Sequence, residues 1–139
     1  MTTQTTIEIG RALLDGFNAH DLTQWASLLA DDYTGSYPGM RTGVDKAIAQ
    51  MYNAVFPAAF PDLHFACQRT VTDGDTIIYQ WSATGTHTGP LALPTGVVPP
   101  TGKSATIVGV LITTVRDGKI VREETYWNQI ELLSQLGLM

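Results

Sequence analysis

Few side chains in this chain could move a proton. His87, in Gly85-Thr86-His87-Thr88-Gly89, closes an apolar-alternating stretch just before a Pro-rich segment, a place where a side chain can face a pocket mouth. An imidazole titrates near working pH and can give or take a proton there, or it can hold the loop through hydrogen bonds to backbone carbonyls. Glu124 offers a carboxyl as a second acid/base or polar group, with an ion pair to Arg122 or Arg116 as its alternative use. Asn128 can donate and accept hydrogen bonds but cannot exchange a proton near neutral pH as a carboxyl can. It reads either as a donor that orients a substrate carbonyl or as the N-cap of a short terminal helix. His64, after Pro61-Asp62-Leu63, is a weaker site candidate at the start of a strand, and His20 in an interhelical turn reads as structural.

A ligand would need walls. Trp25, Trp81, Trp127, Tyr37, Tyr52, Tyr79 and Tyr126 are enough, as a group, to line an apolar pocket with hydroxyl and indole donors for a ligand's oxygens. Tyr37, Tyr52, Trp81 and Tyr126, with His64, are the expected ligand-binding set. Any one of them could equally be core. Cys67 sits in an apolar-alternating stretch and reads as a buried small hydrophobe rather than a nucleophile.

Composition excludes other classes. The 139 residues suit one domain, spanning 1–139, with enough core to need no staple, and the single cysteine cannot form an internal disulfide. A net charge of −5, with Arg11, Arg41, Lys46, Arg69, Lys103, Arg116, Lys119 and Arg122 scattered, argues against a nucleic-acid partner. No Gly-rich phosphate loop, paired-cysteine spacing or HExxH is present, so neither a metal nor a nucleotide cofactor is expected. The first residues lack a cationic and apolar leader and no apolar run approaches a bilayer span, which leads us to expect a cytoplasmic protein without a membrane partner.

The elements that must position these groups follow from period. Ile7, Gly10, Leu13, Leu14 and Phe17 form one helical stripe; Asp21 caps a second helix with Leu22, Trp25, Leu28 and Leu29 on its apolar face, closed by Asp31-Asp32. A loop from Tyr33 to Gly43 leads to a third helix through Val44, Ile48, Met51, Tyr52 and Val55, stopping before Pro57. From Leu63 the period becomes two. Asp73-Gly74-Asp75 turns the chain into a strand from Thr76 to Thr86; a connection from Thr88 to Gly102, a lid or a stiff linker, precedes strands Ser104 to Val115 and Ile120 to Asn128. Parity puts Ile120, Arg122, Glu124, Tyr126 and Asn128 on one face of the last strand. Helices followed by antiparallel strands give an α+β fold, and strands with two partly apolar faces suggest that one face meets the helices and the other a second subunit, hence a homodimer.

The tail Thr125-Tyr126-Trp127-Asn128-Gln129, with Gln135-Leu136-Gly137, resembles the SnoaL-like polyketide cyclases, as do, in order, Phe17-Asn18-Ala19-His20-Asp21, Phe60-Pro61-Asp62-Leu63, Gly74-Asp75, Gly85-Thr86-His87-Thr88-Gly89, Pro100-Thr101-Gly102-Lys103 and Asp117-Gly118-Lys119-Ile120. The ordered set covers most of the chain. The resemblance implies a cone-shaped, curved antiparallel or mixed sheet wrapped around N-terminal helices, of the nuclear-transport-factor-2-like superfamily, dimeric, with an internal pocket. It also implies a cofactor-free intramolecular aldol closure driven by a pocket Asp, whose position here is Asn128, and it aims the face of Glu124 and Asn128 into the pocket. Glu124 stands about 13 Å from Asn128 along the strand and cannot act in its place. Ketosteroid isomerase is similar through Asp31 to Pro38, yet its general-base position is Tyr37 and its oxyanion tyrosine position is Leu13.

These readings converge on a protein that binds a small apolar carbonyl-containing molecule and performs a cyclisation or isomerisation with His87 as acid/base, Asn128 as carbonyl-orienting donor and Glu124 as a second polar group. Whether it is an enzyme is left open by Asn128. The alternatives are a non-catalytic carrier of the same fold and, further out, an epoxide-hydrolase-like hydrolysis.

Overall fold

Ile9, Leu13 and Phe17 recur at helical spacing along α1 (Thr3–Asn18) and pack into the core. A computed structural model of the chain describes residues 3–40 and 43–139; Arg41, counted above among the scattered cations, lies outside them. The chain leaves α1 through His20, whose φ of 55° turns it and whose ring bonds to the Leu63 carbonyl at 2.8 Å. Asp21 then caps α2 (Leu22–Ser27) by accepting from the Gln24 N–H.

The second helix is shorter than expected. Asp31 and Asp32 do not close it; they are the exposed positions of a strand, β1 (Leu29–Ser36), whose Leu29, Tyr33 and Gly35 are buried. The supposed loop from Tyr33 is therefore partly strand. Its pairing is parallel and to the far end of the sequence, so no local hairpin signal announces it. After Tyr37, Asp45 caps α3 (Lys46–Ala59) by accepting from the Ile48 N–H. This helix contains Pro57 instead of stopping before it, because a proline in the last turn removes a single hydrogen bond and the turn still closes through the Phe60 N–H to the Phe56 carbonyl at 2.8 Å.

Strands β2 (His64–Asp73), β3 (Thr76–Thr86), β6 (Ser104–Arg116) and β7 (Lys119–Trp127) join β1 in a curved mixed sheet of order β1-β7-β6-β3-β2, parallel only between β1 and β7. The α+β class and the sheet wrapped on its helices are thus as expected. Segment 88–102 carries a small hairpin, β4 (Leu91–Leu93) with β5 (Gly96–Val98), anchored by fully buried Leu91. The last element, α4 (Gln129–Gln135), is capped by Asn128. No described helix is long and apolar enough to cross a membrane. Cys67, expected inside, is exposed on edge strand β2, its Sγ 3.1 Å from Thr70 Oγ1, beside a register irregularity at Cys67/Arg69.

One irregularity decides which residues the site receives. Val115 pairs with Ile120 and Thr114 with Arg122, so Val121 is the extra residue of a β-bulge. A bulge shifts the alternation by one. Ile120 is buried, yet the next buried side chain is Glu123 and not Arg122, so the inner face of β7 continues as Glu123, Thr125 and Trp127. The uniform parity expected for Ile120 through Asn128 is corrected accordingly.

On the inner face, Trp81 of β3 stands opposite Gly109 of β6. A Cβ at Gly109 would fall 2.4 Å from Trp81 Cζ2 and 2.7 Å from the Tyr126 carbonyl oxygen, so the indole fills the volume that the glycine leaves. Gly109→Ala should destabilise the fold by about 1–3 kcal/mol through overpacking, read as a lower urea midpoint with an unchanged m-value.

Candidate active site

β1 alternates Tyr33, Gly35 and Tyr37 on its inner side. Gly35 separates the two tyrosines because any side chain there would collide with both: a Cβ would lie 2.6 Å from Tyr33 Oη and 2.8 Å from Tyr37 Cε2. The two phenols therefore meet, hydroxyl to hydroxyl, at 2.5 Å. Parallel register sets Glu123 of β7 directly beside Gly35. Its Oε1 accepts from the Tyr33 hydroxyl at 2.7 Å and lies 3.4 Å from that of Tyr37, which also receives Asn53 Nδ2 from α3 at 3.4 Å.

This cluster forms the polar corner of an otherwise apolar cavity. The cavity, of about 120 Å³, lies between α1, α3 and the sheet and is lined among others by Leu13, Phe17, Tyr37, Tyr52, Phe56, Phe65, Trp81, Glu123 and Trp127. That is below the roughly 300–1,000 Å³ usual for small-molecule pockets, which restricts it to a small ligand or a part of one. Tyr52 stacks on Tyr37 with ring centroids 4.5 Å apart, and its hydroxyl accepts from Trp127 Nε1 at 3.2 Å. The Tyr52 proton is then free to point elsewhere.

Burial governs the titration of these groups. Glu123 is 2 % exposed, and loss of water raises its carboxyl from 4.5 to about 7 although the two tyrosines, by bonding the ionised form, pull it back down. Burial first, and then the negative charge of Glu123, hold Tyr33 and Tyr37 well above the usual phenol range, so both remain protonated donors. Burial also lifts Tyr52 to about 12, against the opposing Trp127 bond.

The sequence-derived candidates distribute differently. Tyr37, Tyr52 and Trp81 lie in the cavity wall. Glu124 and Tyr126 do not: displaced by the bulge, they face outward, where Glu124 pairs with Arg122 at 3.1 Å and accepts from the Tyr126 hydroxyl. His64 also falls on the outward parity of β2, between wall residues Leu63 and Phe65. Asn128 is exposed, does not line the cavity and caps α4, its Oδ1 accepting from the Glu131 N–H at 3.1 Å. His87 is fully buried outside the cavity lining, against the Phe60 ring. Its Nδ1 accepts the Thr101 N–H at 3.2 Å, which puts its proton on Nε2, and its backbone bonds Lys103 and Gly102; it holds the loop.

Glu123, Tyr33, Asn53 and Thr125 were missed. Tyr33-Thr34-Gly35-Ser36-Tyr37 is a signal that could have been read, since two tyrosines flanking a glycine at strand spacing can converge on a third group. A wider groove of about 650 Å³ takes in Ser36, Met40, Arg122, Glu124 and Tyr126, and among the described residues it contains no buried titratable side chain beyond the shared Tyr37. Among the described residues no three of His, Cys, Asp and Glu gather into a metal-ligand set. In chemical terms the inner corner can bind one oxygen function and exchange a proton with it near neutral pH.

A buried carboxyl raised in this way stabilises the fold below its unfolded value of 4.5, and that contribution is lost as pH rises through about 7. Glu123→Gln, neutral throughout, should therefore equal the parent protein in acid and exceed its stability by roughly 3 kcal/mol above pH 7.5, measured as denaturant midpoints across pH.

Residues 7–136 match the family model of SnoaL-like polyketide cyclases. No curated protein sequence matches significantly. Among solved structures, AclR from Streptomyces galilaeus, described as a candidate hydroxylase, superimposes with a TM-score of 0.85 at 22% identity, covering 99% of this chain and 88% of its own. A candidate SnoaL-like polyketide cyclase from Jannaschia sp. CCS1 gives 0.82 at 22%, covering 99% and 95%. IdmH from Streptomyces antibioticus, described as a candidate polyketide cyclase, gives 0.79 at 28%, covering 95% and 98%.

Proposed function

This chain belongs to the SnoaL-like polyketide cyclase family, and from that premise we propose that it closes a ring in a small apolar carbonyl-containing molecule by proton transfer without a cofactor, with Glu123 as the acid/base. The observation that carries the reading is a carboxyl poised near neutrality in the wall of an apolar cavity. As carboxylate, Glu123 takes the proton from a carbon flanked by carbonyls. The enolate so formed attacks a second carbonyl of the same molecule; one C–C bond forms, and the proton returns to the new alkoxide, leaving Glu123 as it began. Tyr33 and Tyr37 hold the carboxyl in place, and the unshared Tyr52 proton supports a carbonyl oxygen.

Glu123→Gln should lower kcat/KM on polyketide esters by about 10²–10⁴-fold, the usual worth of a general acid/base, whereas Glu124→Gln should leave it near the parent value. Parent activity should fall as pH drops through about 7, because the carboxylate form starts the reaction. Ligand-induced thermal stabilisation without product, across those esters, would replace catalysis by carriage.

The outer sheet face, with Val71, Ile78, Val108 and Tyr126 exposed, is the surface that we assign to a homodimer. Light scattering at micromolar concentration should give twice 15.1 kDa, and the monomer mass would reject the assignment.

A further inference from the structure

Thr113 of β6 is the cross-strand partner of Glu123. Directly opposed residues on an antiparallel pair point to the same face with Cβ atoms about 4.5–5.5 Å apart. Both are inside, Thr113 at 0 % and Glu123 at 2 % exposure. Yet Thr113 Oγ1 has no hydrogen-bond partner. A buried hydroxyl left so is unfavourable, and a β-branched residue of the same shape without it, valine, would serve a strand interior at least as well. The hydrogen bonds that Glu123 does receive, from Tyr33 and Tyr37, both fall on Oε1. The second carboxyl oxygen takes none of them.

We propose that Thr113 is a positioning residue for Glu123, its hydroxyl accepting from the neutral carboxyl and donating to the carboxylate at Oε2. A hydroxyl can do both by rotating its hydrogen. Valine can do neither. The other groups facing Glu123 are the phenols of Tyr33 and Tyr37 from β1, with the Asn53 amide of α3 behind Tyr37; among the described residues none of its hydrogen-bond or ion-pair partners is charged. Thr113 is a neutral hydroxyl across the strand pair that can follow the carboxyl through its change of charge. Because Thr113 does not line the cavity, it acts through Glu123 and not on a ligand. The bond to the ionised form is the stronger of the two, so its loss favours the neutral acid.

The inference rests on Glu123 as the titrating group, and its test needs no substrate. In carbon-13-labelled protein, the Glu123 carboxyl resonance, assigned by its absence in Glu123→Gln, is followed across pH. Thr113→Val should raise the midpoint by about one unit, a tenfold fall in the ionisation constant, while Thr113→Ser, which keeps the hydroxyl, should titrate with the parent protein. Thr113→Ala is read by the same criterion where the valine variant does not fold. An unmoved midpoint in the variant lacking the hydroxyl overturns the role, as does an equal rise in the serine variant, which would mark a packing effect. A parent midpoint near 4.5 instead sinks the acid/base reading of Glu123, and the comparison among Thr113 variants still stands.

Discussion

A carboxyl group withdrawn from water inside an apolar cavity is the constraint on which this molecule turns. An isolated buried carboxylate is far too costly to persist, so it must be neutral, hydrogen-bonded or both. Glu123 answers both demands in part: burial raises its titration point toward 7, and two tyrosine hydroxyls bond it. Everything nearby serves that arrangement. Gly35 gives up its side chain so that the phenols can meet, the parallel pairing of β1 with β7 brings them beside Glu123, and the stacked Tyr52 ties the cluster to α3.

The same sheet separates two kinds of polar chemistry on one strand. Glu123 and Glu124 are neighbours in sequence and face opposite ways. The outward one makes an ion pair with Arg122, of the sort that contributes little in solvent; the inward one has no ion-pair partner among the described residues, and burial raises its carboxyl toward 7. Solvent screening, not residue type, distinguishes them.

Much of the fold was legible. Helical stripes at Leu13 and Phe17, the cap at Asp21, the two-residue alternation of β3 and the turn at Asp73-Gly74-Asp75 are local signals, and the structure realises them. The aromatic residues supplied the wall as a group, Tyr37, Tyr52 and Trp81 among them. The buried carboxyl was not legible, because counting parity from Ile120 assumes an unbroken ladder and the bulge at Val121 breaks it. Asn128 drew attention through family likeness, while its side-chain oxygen caps a helix outside the cavity lining.

By itself the sequence determined the class of fold, the apolar and aromatic stock of the cavity and the family, since these depend on periodicity, composition and ordered motifs that survive without coordinates. Only the tertiary structure decided which carboxyl is buried. That choice depends on a one-residue slip between β6 and β7 and on a parallel pairing between segments some 90 positions apart, Gly35 with Glu123, and neither leaves a trace in local pattern.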